Sequence, residues 1–176
     1  MLRLARGLQT AWVFPRFEAL AGDRRSLPPG SSLEDASHSG AMSQPNSDFN
    51  RFLGMDVARA ENGECEMVLD VDERHMSIAE RVHGGVFFTM VDTAMGRAVT
   101  SILDQGRGCA TIEAKINYFR PVQAGRVRAI ARCTNKSRRT AYTEAEVRDD
   151  EDRLIAKATG TFMLTETMAQ KERERF

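Results

Sequence analysis

The sequence predicts an α+β fold in which an antiparallel β-sheet wraps around one long central helix. Three observations predict it. From Val86 onward, Phe87, Phe88, Met90, Val91, Ala94, Met95, Ala98, Val99 and Ile102 put apolar groups on nearly every side of a helix that runs to about Leu103, the pattern of a helix buried by its surroundings. Segments of two-residue alternation stand on both sides of that helix. Short turns join the later segments, as antiparallel neighbours require.

In chain order, 176 residues suit one domain with an extension. Residues 1–45 form the extension. Met1 to Phe17 hold Arg3, Arg6 and Arg16 before the first acid, Glu18, with Leu2, Leu4, Leu8, Trp12 and Phe14 interspersed, which is either a transit peptide or sequence upstream of a true start at Met42. The second reading implies a cytoplasmic protein and the first a mitochondrial one. Leu27 to Pro45, rich in Pro, Gly and Ser, reads as a linker. Residues 46–166 form the domain, and 167–176 a charged, frayed tail.

Within the domain, Asp48 is expected to cap a short helix that ends at Gly54. A strand begins at Val57, and an Asn62-Gly63 turn leads to a second with Cys65, Met67, Leu69 and Val71 on its buried face. His75 to Arg81 is the irregular approach to the long helix, with His75 exposed and without a partner. After Gly106 to Gly108, Ala110, Ile112, Ala114, Ile116 and Tyr118 alternate with Thr111, Glu113, Lys115 and Asn117 until Pro121. Three more strands follow, with inner faces Val127, Ala129, Ala131, Cys133, then Ala141, Thr143, Ala145, Val147, then Ala156, Ala158, Gly160, Phe162. The last set is small enough to let a sheet pass close over a thick helix.

Composition narrows the function classes. With 25 basic and 25 acidic residues the net charge is zero, and nothing asks for nucleic acid or a charged membrane. The long helix is interrupted by Thr89, Asp92, Thr93 and Arg97 and does not reach membrane-spanning length as an apolar run. Cys65, Cys109 and Cys133 are widely spaced, without a CxxC pair, and read as small core residues in a reducing compartment. No metal and no cofactor is expected.

The chemistry concentrates at the helix. His83, Gly84 and Gly85 break the preceding strand, so the amides near Gly85 point outward without intrahelical partners, a site for a developing negative charge. Asp92 sits within the apolar run, where a carboxylate is costly unless it is satisfied or used. Seven residues turn about 700° and rise roughly 10 Å, so Gly85 and Asp92 share one face but cannot touch the same atom. Two antiparallel copies in a twofold dimer would bring the Gly85 amide of one chain near Asp92 of the other. The plainer alternative is a tight turn followed by a structural aspartate.

The run His83-Gly84-Gly85-Val86-Phe87-Phe88-Thr89-Met90-Val91-Asp92-Thr93-Ala94 resembles the signature of hotdog-fold acyl-CoA thioesterases, the phenylacetyl-CoA thioesterase-like branch in particular. The resemblance covers roughly Asn46 to Thr165 and implies the hotdog architecture, an acyl-CoA substrate and a homodimer, commonly assembled into a tetramer. It implies that the Gly85 amide polarises the thioester carbonyl and that Asp92, from the other subunit, is nucleophile or base. Thr111 would orient the water and His83 would fix the turn. Six residues before the motif His, where relatives carry Asn or Gln, this chain has Ser77, whose shorter side chain reaches less far.

For the substrate, Gly84 and Phe88 are expected beside the acyl group, with Phe87 and Met90 as neighbours, although each is equally explicable as core. Arg120, Lys136, Arg138 and Arg139 either meet the phosphates of coenzyme A or form solvated basic turns. Two rival readings share the fold. One is a dehydratase, whose His and acid stand at a different spacing. The other is a non-catalytic acyl-CoA-binding protein.

Overall fold

The computed structural model describes residues 46–166, so the expectations for the leader, the linker and the tail lie outside the described residues. Helix α1 spans Asp48–Phe52 and strands β1 and β2 span Met55–Glu61 and Glu64–Asp70. Helix α2 spans Gly84–Thr100, and β3, β4, β5 and β6 span Arg107–Tyr118, Arg126–Lys136, Thr140–Asp149 and Leu154–Glu166. The six strands form one antiparallel sheet in the order β1-β2-β4-β5-β6-β3, with α2 against its inner face.

Local sequence explains most boundaries. Ser47, not Asp48, caps α1: its Oγ accepts from the Asn50 amide at 3.2 Å, and Asp48 is the first helical residue. Asn62 and Gly63 both have positive φ, +52° and +81°, as a two-residue hairpin loop between right-twisted strands requires. The Gly63 amide also donates to Ser101 Oγ at 2.9 Å, fastening that hairpin to the end of α2.

The core is a thick helix on a thin sheet face. Met90, Val91, Ala94, Met95, Ala98 and Val99 of α2 are fully buried, opposite Ala129 and Ala131 of β4, Ala145 and Val147 of β5, and Ala156 and Ala158 of β6. A Cβ at Gly160 would stand 3.0 Å from Met95 Cε and 3.2 Å from its Sδ. The outer face carries cross-strand ion pairs instead: Glu64 with Arg59 and Arg132, Glu66 with Arg128, and Asp70 with Arg126. Exposed pairs of this kind contribute about 0–1 kcal/mol each.

Three further sequence expectations are corrected. First, α2 is not covered on all sides. Thr89, Asp92, Thr93, Gly96, Arg97 and Thr100, spaced three and four apart, form one polar stripe that the chain leaves half-buried. Second, the alternation in β3 breaks. The ladder runs from Thr111 opposite Phe162 directly to Glu113 opposite Thr161, leaving Ile112 as the extra residue of a bulge, 59% exposed. Cys109 and Thr111 therefore share the inner side with Ala114 and Ile116, and Ala110 and Ile112 do not.

Third, His75 is buried, at 1% exposure. Its Nδ1 accepts from the Asp72 amide at 2.9 Å and its Nε2 lies 2.7 Å from the Leu53 carbonyl, so the ring ties α1 to the turn at Glu73–His75. Beyond it, residues 76–82 form a small loop closed by Ser77, whose amide and Oγ both donate to the Arg81 carbonyl at 2.8 Å. Glu80 in that loop has φ +53°.

Two stability predictions follow from these contacts. Gly160→Val, which forces branched atoms into Met95, should destabilise the fold by about 1–3 kcal/mol in chemical denaturation. Glu80→Gly relieves a left-handed conformation that costs an L-residue about 1–2 kcal/mol while adding unfolded-state freedom, and should stabilise the same transition by roughly 0.5–1 kcal/mol.

Candidate active site

Helix α2 begins at a cap made by a histidine. His83 has extended backbone angles, and its Nδ1 accepts from the Gly85 amide at 3.0 Å. The amide expected to lack a partner is therefore engaged within this chain, and the ring proton belongs on Nε2. Glycine at 85 leaves the cap room to close, because a Cβ there would approach His83 Nδ1 to 3.0 Å. His83 and Gly85 are both exposed, so a ligand or a second chain can reach the cap.

Tyr118, at the end of β3, holds the same turn from the other side. Its hydroxyl donates to the Gly84 carbonyl at 2.9 Å, and its ring would lie 3.2 Å from a Cβ at Gly84. Burial pushes the Tyr118 hydroxyl above its usual pKa, so it stays a donor at neutral pH. Sequence reasoning missed this residue, because an aromatic at a strand end signals nothing about a helix 34 residues earlier.

Two turns further along α2, half-buried Asp92 faces the bulged segment of β3. Thr111 Oγ1 donates to Asp92 Oδ1 at 2.9 Å. One carboxylate oxygen is thereby held, and the group borders a cleft of about 250 Å³. The cleft runs over the polar stripe of α2 and is lined by Asp92, Thr93, Gly96, Arg97 and Thr100 on the helix and by Cys109, Thr111 and Phe162 on the sheet.

The cleft gathers Asp92 and Thr111 but not the other predicted residues. Gly84, Gly85, His83, Ser77 and Phe88 do not line it. Phe87 and Met90 are core, and Phe88 is 38% exposed on the surface. Ser77 is spent on closing its own loop. The basic residues fall into two groups. Arg120 donates to the Leu154 carbonyl at 2.8 Å, whereas Lys136, Arg138 and Arg139 surround the β4–β5 turn, where the Arg139 carbonyl accepts from the Leu164 amide. Leu164 pairs with Cys109, so this turn lies at the Thr111 end of β3 and Arg120 about 30 Å away along the strand.

Burial raises the thiol pKa values, that of Cys65 to about 12 and that of Cys109 to about 11, so both are protonated at neutral pH. Among the described residues, no three His, Cys, Asp or Glu side chains gather as metal ligands, and no helix is long and apolar enough to cross a membrane.

Comparison with known proteins agrees with the fold and the motif. Residues 80–156 match the model of the thioesterase superfamily. The conserved protein PA5202 of Pseudomonas aeruginosa is 36% identical and superposes with a TM-score of 0.67, covering 71% of this chain and 99% of its own. The phenylacetic acid degradation protein PaaI of Thermus thermophilus, in a mutant form, is 31% identical with a TM-score of 0.62, over 68% of this chain and 98% of its own. SSO1253 of Saccharolobus solfataricus, 31% identical over 116 residues that make up 66% of this chain and 76% of its own, carries an esterase name. With a six-stranded antiparallel sheet around one long helix, a His-Gly-Gly opening and relatives at this level of identity, the chain belongs to the thioesterase superfamily, as a hotdog-fold thioester hydrolase of the PaaI-like branch.

Proposed function

We propose that this chain hydrolyses acyl-CoA thioesters, with Asp92 as the catalytic carboxylate and the Gly85 amide of a second copy as the oxyanion donor. The observation that carries the reading is the Thr111–Asp92 hydrogen bond at the mouth of the cleft. It leaves the second carboxylate oxygen for water or for the carbonyl carbon, at a place that a bound thioester can reach.

The reaction needs no other group. Either Asp92 takes a proton as water adds to the thioester carbonyl, or its carboxylate adds first and water opens the resulting anhydride. In both routes the carbonyl oxygen gathers negative charge, the C–S bond breaks, and the thiolate takes up a proton. The products are the free acid and coenzyme A. An amide at a helix N-terminus stabilises that oxygen. For Gly85 to serve, its N–H must turn from His83 Nδ1 to the substrate, or be shared between them, and the exposure of the ring allows that movement.

Two features support the second copy. Gly85 and Asp92 are separated by roughly 10 Å along one helix, too far to address one carbonyl. Among the described residues, strand β3 is a 12-residue edge of the sheet, with Ile112, Tyr118 and, just past its end, Phe119 about half exposed, and a long edge of this kind is a template for pairing. Pairing β3 with its twofold mate covers that edge and sets the two α2 helices antiparallel. The β4–β5 turn with Lys136, Arg138 and Arg139 then offers cations for the coenzyme A phosphates.

Thiol release from a panel of acyl-CoAs tests the reaction. Asp92→Asn should lose at least about a hundredfold in kcat/KM, roughly 2.7 kcal/mol, and Thr111→Val roughly tenfold in kcat with little change in KM, recovered by Thr111→Ser. Binding of acyl-CoA without thiol release by the parent chain would replace this reading with the acyl-CoA-binding one.

Mixing two dead variants tests the shared site. Gly85→Pro removes the donor and Asp92→Asn the carboxylate. A statistical mixture of re-formed dimers should regain about a quarter of parental activity, because each heterodimer carries one complete site. No recovery would place both groups in one chain.

A further inference from the structure

One peptide unit at the start of α2 is held from both sides. The Gly84 carbonyl and the Gly85 amide belong to the same planar, trans group, so their C=O and N–H bonds point in opposite directions and rotate together. Tyr118 donates its hydroxyl to that carbonyl at 2.9 Å, and His83 Nδ1 accepts from that amide at 3.0 Å. Turning the plane would strain both bonds at once. The two holds differ in firmness. His83 is an exposed ring next to the peptide it caps, whereas Tyr118 ends a strand that is paired with β6 from Arg107 to Tyr118.

The need for such a hold comes from the sequence. Both residues joined by this peptide are glycines, and without side chains there is little steric resistance to rotating the plane about its flanking bonds. A helix engages each carbonyl once, through the amide four residues on, and the Tyr118 hydroxyl takes the remaining lone pair of Gly84. It thereby ties the peptide to the sheet, which a bond within α2 cannot do. The bulge at Ile112 makes the contact possible. Thr111 and Tyr118 are seven residues apart, a separation that an unbroken strand sends to opposite faces. The extra residue brings both hydroxyls to the helix side, Thr111 to Asp92 and Tyr118 to Gly84. A donor on the carbonyl also polarises the peptide and strengthens its N–H as a donor, by about 10–30% for hydrogen bonds in series.

We propose that Tyr118 is a positioning residue for thioester hydrolysis: it holds the Gly84–Gly85 peptide plane, so that the Gly85 N–H keeps its aim at the thioester oxygen when His83 releases it. The inference rests on the reading of the Gly85 amide as the oxyanion donor. In that arrangement the imidazole gives way to the substrate while the peptide stays in place. Tyr118 acts through Gly85 and not on the reacting atoms.

Tyr118→Phe keeps the ring against Gly84 and removes only the hydroxyl. With the acyl-CoA that the full chain turns over fastest, kcat should fall about tenfold while KM stays within about twofold. An unchanged kcat, or a loss confined to KM, overturns the proposal. A merely structural clamp would shift the denaturation midpoint and leave the bound carbonyl as it is, so the second readout is infrared. In Asp92→Asn, whose slow turnover leaves bound substrate to observe, the 13C-labelled thioester carbonyl of the same acyl-CoA should absorb below its frequency in water. Adding Tyr118→Phe should remove at least about a fifth of that lowering. A lowering that survives in full in the double variant overturns the role of Tyr118 alone. No lowering in Asp92→Asn itself refutes the Gly85 assignment, and absence of hydrolysis by the full chain refutes the thioesterase reading; either takes this inference with it.

Discussion

The close approach of α2 to the alanine and glycine face of the sheet is the constraint on which the rest depends. Met90, Val91, Met95 and Val99 are large, and they are wholly buried because the strands opposite offer Ala129, Ala131, Ala145, Ala156, Ala158 and Gly160. Burying each such helical side chain contributes about 1.5–3 kcal/mol, so this face supplies much of the domain's stability. It also fixes the rotation of the helix. Once that broad face is committed to the sheet, Thr89, Asp92, Thr93, Gly96, Arg97 and Thr100 are left on the opposite stripe, and every polar group of the cleft on the helix side comes from it.

The bulge at Ile112 completes what the helix begins. In an unbroken strand, Thr111 would point away from the side that carries Ala114 and Ile116. One extra residue reverses the parity, so Thr111 and Cys109 join the inner side just where α2 presents Asp92 and Gly96. Bulges recur beside active sites because they re-aim one side chain without altering the strands around it. Here the re-aimed hydroxyl gives a half-buried carboxylate the hydrogen bond that its position demands.

The N-terminus of α2 shows the same economy of parts. His83 caps the helix, Tyr118 clamps its first carbonyl, and the two glycines admit both rings at close range. Such a turn is rigid enough to aim amides and open enough to release one, since the cap is a single exposed imidazole and not a packed side chain. The proposed twofold arrangement uses this turn in one copy and the carboxylate in the other, and covers the long β3 edge by the same pairing.

The sequence alone determined the inner faces of β2, β4, β5 and β6, the presence of α2, the hairpin at Asn62-Gly63 and the motif with Asp92 at its centre, because each is written in a local period, a turn chemistry or a fixed spacing. The resemblance carried by the motif also drew Thr111 to the site as the hydroxyl that would orient the water, although the regular alternation of β3 argued for a different inner face, and the tertiary structure alone gave its hydrogen bond to Asp92. Only the tertiary structure decided which stripe of α2 stays open, that Ile112 forms a bulge, that His75 is buried between Asp72 and Leu53, that Ser47 caps α1 and that Tyr118 reaches Gly84. The reason is physical. Periodicity reports how a segment divides its own residues between faces, but which face is covered, and what meets it, depends on segments tens of residues away whose packing leaves no mark in the local pattern.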